Sequence, residues 1–318
     1  MPPVPTETMP SPAPPAIPPA AMPLARGFLA LAFLTWVLIA FGALVRAKQA
    51  GLACPDWPLC HGDVLPDLKL KGVVYEFGHR ALAGLVSILY VVGAWQVWRQ
   101  PELKSHLGRQ VLAGGVLLLT QVVFGGLTVL IVHRGEGAPR PEAWTVVTHL
   151  VLGNSFGALA LLTGLQLRQL ALPSLAAATS HSRGRALANA WTLALLVQFV
   201  LGGAVAANIA GLVCTTFPEC FEGVWFPSFT GYVGLQVWHR LTAYTLLVLA
   251  VALAWRLRGN GAAGRVAAGL LALVVLQAVL GAVNVYSYLH TAVTTAHSAV
   301  AALLFSGTAV LGWLLRRR

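Results

Sequence analysis

A small set of residues in this chain combines types and spacings that can do chemistry. Cys54 and Cys60 bracket a short loop, CPDWPLC, and Glu76, His79 and Arg80 follow it. At a constant offset of 160 residues stand Cys214, Cys220, Gln236, His239 and Arg240, and His149 and His297 add one further histidine to each copy. Imidazole nitrogens bind metals. Paired thiols in an oxidising compartment close disulfides or exchange them. Glu76 lies three residues before His79, on the same helical face. An acid there can move a proton or hold a cationic intermediate, whereas the amide of Gln236 can only hydrogen-bond. That difference predicts chemistry in the first copy and electron storage in the second.

The elements that must position these residues are membrane spans. The 318 residues are 57% apolar and 10% charged, too few charges to cover a soluble surface. Apolar segments near 26–45, 76–98, 109–131, 145–170, 187–208, 235–255, 264–285 and 292–315 are each long enough to cross a bilayer at about 20 residues per span. The formal charge of +11 would suggest a nucleic-acid partner in a soluble domain, but here it falls in short connections, where it orients spans instead. Thirteen of the twenty-one basic residues, from Arg26 to Arg318, share one set of connections, and that side is expected to be cytoplasmic with both termini. The opposite loops hold all four cysteines and eight of the ten acids. Residues 1–25 are Pro-rich, read as a disordered tail, and lack the pattern of a cleaved signal.

The repeat runs through the spans. FGALVRAKQAGLAC at Phe41 aligns with LGGAVAANIAGLVC at Leu201, and QVVFGGLTV at Gln121 with QAVLGAVNV at Gln277. The expected fold is therefore an all-α membrane protein of eight transmembrane helices, arranged as two pseudo-symmetric four-helix bundles over 26–170 and 187–315 in a parallel duplication. Gly42, Gly125, Gly126, Gly202, Gly203 and Gly281 read as close-packing positions.

His79, His149, His239 and His297 each fall about one turn inside the outer end of an even-numbered span, at a common depth of roughly 5 to 8 Å. Two imidazoles on parallel helices can hold an iron from both faces of a flat macrocycle. Zinc would need two further ligands and a blue-copper site a nearby cysteine, and neither set sits at that depth. The economical reading is two haems, one per half, near the outer face. Arg80 and Arg240 are placed either to pair with haem propionates or to anchor helices at the interface. The repeat favours the disulfides Cys54–Cys60 and Cys214–Cys220. The second reads as a staple; for the first, a staple and a redox or substrate-handling role both stand.

GLACPDWPLCHG, EFGHR, the Thr148–His149 pair, WHR at Trp238 and TAH at Thr295 together resemble the haem A synthase family of bacteria and mitochondria, over residues 26–315. The resemblance implies oxidation of the C8 methyl of haem O to the formyl group of haem A, in two successive oxidations, for terminal oxidases. By position it implies that His239 and His297 ligate a resident haem b, that His79 and His149 flank the substrate haem, that Glu76 is the essential acid, and that Cys54 and Cys60 are the first-loop pair. A haem O synthase upstream, a quinol or ferredoxin-like electron donor, and the bacterial inner membrane as location are the implied setting, with a homo-oligomer left open. Two other classes stand beside it: a di-haem cytochrome b that only carries electrons, and a membrane thiol oxidoreductase centred on the loop cysteines.

Overall fold

In lipid, a backbone without water must pair every N–H and C=O within its own segment, so apolar runs of this length fold as helices. The structure, a computed structural model, describes residues 20–134, 139–172 and 184–316. It holds eight helices: α1 (Ala21–Ala47), α2 (Val73–Trp98), α3 (Pro101–Leu130), α4 (Ala143–Ala171), α5 (Arg185–Ala207), α6 (Gly231–Arg256), α7 (Gly261–Tyr286) and α8 (Thr291–Arg316). All eight are long and apolar enough to cross a membrane. Between α3 and α4 a two-residue strand β1 (Val132–His133) pairs antiparallel with β2 (Arg140–Pro141).

Every helix starts ahead of its apolar segment, and two do so by the widest margins. The first, α1, begins at Ala21, inside the stretch read as tail; residues 1–19 of that tail, with His181, Arg183, Arg317 and Arg318, lie outside the described residues. The third, α3, begins at Pro101, because proline suits the first helical position and its opening turns are polar (Glu102, Lys104, Ser105, His106). Lys104 Nζ lies 4.6 Å from the centre of the Trp98 ring, and Arg99 and Arg258 stack similarly on Trp95 and Trp255.

Helices α1 and α3 each pack against α2 and α4, while α5 packs against α6 and α8 and α7 against α6 and α8. The two halves meet where α1 and α4 face α8 and where α4 faces α5. Across this seam Trp36 Nε1 donates to the Ala299 carbonyl at 2.9 Å, and Arg46 donates to the Ala206 carbonyl at 2.6 Å, at the C-terminal end of α5 where a cation is favoured.

Each half is filled unevenly along its length. At the end away from the cysteine loops the helices are close-packed: Phe28, Tyr90, Phe156 and Leu167 centre one cluster, and Trp191, Phe199, Leu253 and Leu311 the other. At the other end the interior is not closed by side chains. No residue is buried between Thr35 and Val45 in α1, between Glu76 and Val86 in α2, between Gly114 and Gly126 in α3, or between Thr145 and Gly153 in α4. The same gap occurs between Arg240 and Leu246 in α6, between Val274 and Asn284 in α7, and ahead of Ala302 in α8. His79, His149 and His297 fall in these stretches, and His239 stands directly ahead of the α6 one, beside Arg240.

Candidate functional site

Two disulfide-closed loops, Cys54–Cys60 and Cys214–Cys220, cap this looser end. All four cysteines are paired and at most 1% exposed, so no thiol is presented for exchange. The pairing is the one the repeat favours. Each loop is gripped from below by the arginine that follows a histidine. Arg80 donates to the carbonyls of Asp56 (2.8 Å), Leu59 (2.5 Å) and Cys54 (3.3 Å), and Arg240 to those of Glu219 (2.5 Å), Pro218 (3.4 Å) and Cys214 (3.4 Å). From sequence, both guanidiniums stand at propionates or headgroups. In the structure each is turned into its own loop, because carbonyls in a tight, partly buried loop need donors that no regular element supplies.

Glu76 belongs to the same unit. It is 4% exposed, its Oε1 accepts from Arg80 at 2.6 Å, and its Oε2 accepts the backbone N–H of Cys54 at 2.8 Å. Both carboxylate oxygens are thus engaged. Gln236, its counterpart, donates to the Gly211 carbonyl at 3.3 Å and leaves its Oε1 buried without a partner. The second loop has two ties that the first lacks: Tyr244 and Tyr286 donate to the carbonyls of Pro218 (2.7 Å) and Phe217 (2.8 Å). In the first loop, Asp56 accepts the backbone N–H groups of His61 (2.7 Å) and Gly62 (2.8 Å). The Gly62 N–H, then that of His61 and the charge of Arg80, holds its carboxyl below the ordinary value. Trp57 at the loop tip lies against α3: a Cβ on Gly126 would come within 3.0 Å of its ring.

The four span histidines share one local design. Each ring is set against a glycine of the preceding helix, with its Cε1 facing the glycine Cα: a Cβ added there would meet His79 Cε1 at 3.0 Å from Gly42, His149 Cε1 at 3.2 Å from Gly125, His239 Cε1 at 3.0 Å from Gly202, and His297 Cε1 at 3.7 Å from Gly281. The Nδ1 atoms of all four rings are buried without a hydrogen-bond partner. His79 and His149 stand on α2 and α4, which α1 and α3 both flank, and His239 and His297 on α6 and α8, which α5 and α7 both flank, so each half carries one histidine on each of two facing helices. His61, His106, His133 and His290 stand apart. The first three contact Ala53, Glu102 and Glu142, and His290 sits in the turn between α7 and α8.

Paired imidazoles at one level, in a layer of the bundle that side chains do not close, fit a flat macrocycle with one nitrogen ligand on each face. Among the described residues no group of three or more His, Cys, Asp or Glu gathers as a metal cage, so the donor set does not match a tetrahedral zinc site. Sequence reasoning missed two neighbours of the rings. Gln121 places its amide nitrogen 3.3 Å from His149 Nε2, Gln198 places its own 3.5 Å from His239 Nε2, and Gln277 occupies the matching position on α7. The signal was present in the sequence, since each glutamine stands four residues before a ring-facing glycine.

Eight apolar helices with this histidine layer define a multi-pass helical membrane protein. The chain belongs to the COX15-CtaA family, described as cytochrome oxidase assembly protein, whose pattern matches residues 25–71 and 68–309. It is 32% identical over 290 residues to the Heme A synthase of Symbiobacterium thermophilum, covering 85% of this chain and 88% of that protein. Against the Heme A synthase of Shouchella clausii it is 31% identical over 276 residues, 83% of this chain and 88% of the relative. For Shewanella oneidensis Heme A synthase the figures are 27% over 321 residues, 88% and 93%.

Proposed function

We propose that this chain is a haem A synthase of a bacterial cytoplasmic membrane, which oxidises the C8 methyl of haem O to the formyl group of haem A. The observation that supports it best is the placement of His79 and His149, each set against a glycine, on α2 and α4 with Glu76 one turn before His79, in a chain whose relatives are named Heme A synthase. In this reading the first half takes haem O as substrate between His79 and His149. The second half holds a resident haem b between His239 and His297, and that group supplies one-electron transfer. In this reading the histidine layer and both disulfide loops face the outside, which the cations stacked on Trp95, Trp98 and Trp255 at the opposite helix ends support, since basic residues favour the cytoplasmic side.

The protein's own residues then do four things. His79 and His149 fix the plane of the substrate, which orients one methyl edge. Their glycine partners Gly42 and Gly125 let the rings lie close against the helices behind them. The first loop, gripped by Arg80 and seated by Trp57 on α3, covers the outer end of the site and excludes bulk water. Glu76, held by Arg80 and the Cys54 N–H, keeps a negative charge next to His79, where it stabilises positive charge that develops on the substrate. The methyl carbon is hydroxylated twice, each time with one atom of dioxygen entering a C–H bond and the other leaving as water on two electrons and two protons, and the gem-diol then loses water to give the aldehyde. The electron donor is of the quinol or ferredoxin class, and a haem O synthase precedes this step.

The test is the haem content of membranes from cells making haem O with or without this chain. Haem A appearing only with the chain is the expected result; haem O persisting unchanged while the chain carries two haems would make it an electron carrier instead.

A further inference from the structure

Two axial imidazoles fix the plane of a macrocycle but leave it free to turn within that plane. In the reading above only one peripheral methyl group is oxidised, so the rotation must be fixed as well. Haem O carries both propionates on one edge, and its C8 methyl sits on the same pyrrole ring as one of them. A cation that holds the propionate edge therefore also places the methyl.

The structure narrows the cations that can do this. Arg80 and Arg240 are turned into their loops, and Lys69, Lys71, Arg134 and Arg140 lie in the connections between helices. Lys48 lines a cleft against α8, beside His290 and Thr291. Arg46 differs from all of them. It stands on α1 four residues after Gly42, the glycine set against His79, so it shares that helical face one turn, about 6 Å, farther out. A guanidinium carries several N–H donors, and Arg46 gives one nitrogen to the Ala206 carbonyl. Among the described residues the salt bridges are Arg80–Glu76 and His133–Glu142, so no carboxylate of the chain neutralises Arg46. Its remaining donors suit a carboxylate, which a guanidinium meets at two points.

Ala206, which accepts from Arg46, is also its counterpart at the 160-residue offset. The second half therefore has no arginine at this place. The difference fits the two roles: a resident haem passes electrons in any in-plane rotation, whereas chemistry at one methyl needs a single one. Glu76, the other departure from the repeat, lies one turn outward of His79 on α2, which packs against α1. Arg46 and Glu76 thus stand outward of the same histidine, on adjacent helices, without an ion pair between them.

We propose that Arg46 anchors a propionate of the substrate in the first half, and so selects which methyl group is presented beside Glu76. The inference rests on the haem reading above.

The test uses the full-length chain already carrying haem b, titrated with haem O and with haem O dimethyl ester, whose propionates are uncharged. Absorption spectra report binding in the first half, and the haem b bands report folding in every variant. Wild-type protein should bind haem O roughly tenfold more tightly than the ester. Arg46→Met should lose that preference, and Arg46→Lys, which keeps the charge, should retain part of it. The hyperfine-shifted methyl proton resonances of the oxidised substrate haem give a readout that a purely structural arginine would not move. They should form one set in the wild type, with a second set from the turned macrocycle in Arg46→Met. Equal wild-type affinity for haem O and its ester, or a preference undiminished in Arg46→Met, would overturn the proposal. A wild-type chain whose first half takes up neither compound would instead overturn the two-haem reading, and the proposal with it.

Discussion

The backbone N–H of Cys54 donates to Glu76 Oε2 at 2.8 Å, while Arg80 holds Oε1 at 2.6 Å and reaches the Cys54 carbonyl at 3.3 Å. The acid on α2, the arginine that follows His79 and the first disulfide are therefore one connected unit. In the second half the corresponding glutamine makes a single bond to Gly211, and its loop is held by Arg240 and two tyrosines instead. What differs between the halves is the charge placed beside the histidine pair, not the presence of a closed loop.

Glu76→Gln retains an acceptor for the Cys54 N–H but removes the negative charge. It should cut haem A formation by about 100-fold or more while leaving both haems bound, which turnover and pyridine haemochrome spectra would measure. Glu76→Ala should in addition destabilise the protein by about 3 kcal/mol, since it strands the largely buried Arg80 charge. Haem A output unchanged in Glu76→Gln would remove this residue from the reaction.

The glycines behind the rings give a graded series. Gly42→Ala and Gly202→Ala put a Cβ 3.0 Å from an imidazole carbon, Gly125→Ala 3.2 Å, and Gly281→Ala 3.7 Å. The first two should displace His79 and His239, lowering haem content in the first and second half respectively. Gly281→Ala makes an ordinary contact and should leave the spectra unchanged.

Which parts of this arrangement were legible beforehand follows from where their signals lie. The spans, the common depth of the four histidines and the two disulfides follow from hydropathy and from one internal repeat, both local in sequence. The capture of loop carbonyls by Arg80 and Arg240, and the seating of Trp57 on Gly126, join segments more than 20 residues apart, and no periodicity reports them. The glycines were visible as small residues, but that they face imidazoles rather than other helices needed the rotation of each helix about its axis. The glutamines four residues before Gly125, Gly202 and Gly281 are visible in the sequence, but only the rotation of each helix shows that Gln121 and Gln198 reach an imidazole.

Removing the arginine grip should expose the two disulfides unequally. Arg80→Met leaves the first loop without its three carbonyl contacts and with Glu76 unpaired. Arg240→Met leaves the second loop still tied by Tyr244 and Tyr286. Thiol labelling after mild reduction should therefore rise more at Cys54 and Cys60 in Arg80→Met than at Cys214 and Cys220 in Arg240→Met.

Asp56 gives the first loop a dependence on acidity. Its folded pKa lies below the unfolded one, because Gly62 and His61 donate to the carboxylate. The contribution is therefore fully present above the unfolded value of about 3.9 and is lost as pH falls through the folded value. Hydrogen exchange at the His61 and Gly62 amides should stay slow at neutral pH and quicken only in strong acid. Asp56→Asn should be faster at every pH and lack the acid step.

The most direct measurement is conversion by the purified chain. With haem b in place, haem O, a reductant and air, the extracted haems should show by mass the replacement of a methyl by a formyl group, with wild-type protein and not with Glu76→Gln. If haem O is recovered intact while both histidine pairs carry haem, the chain holds haems without transforming one, and the assignment of chemistry to the first half is contradicted.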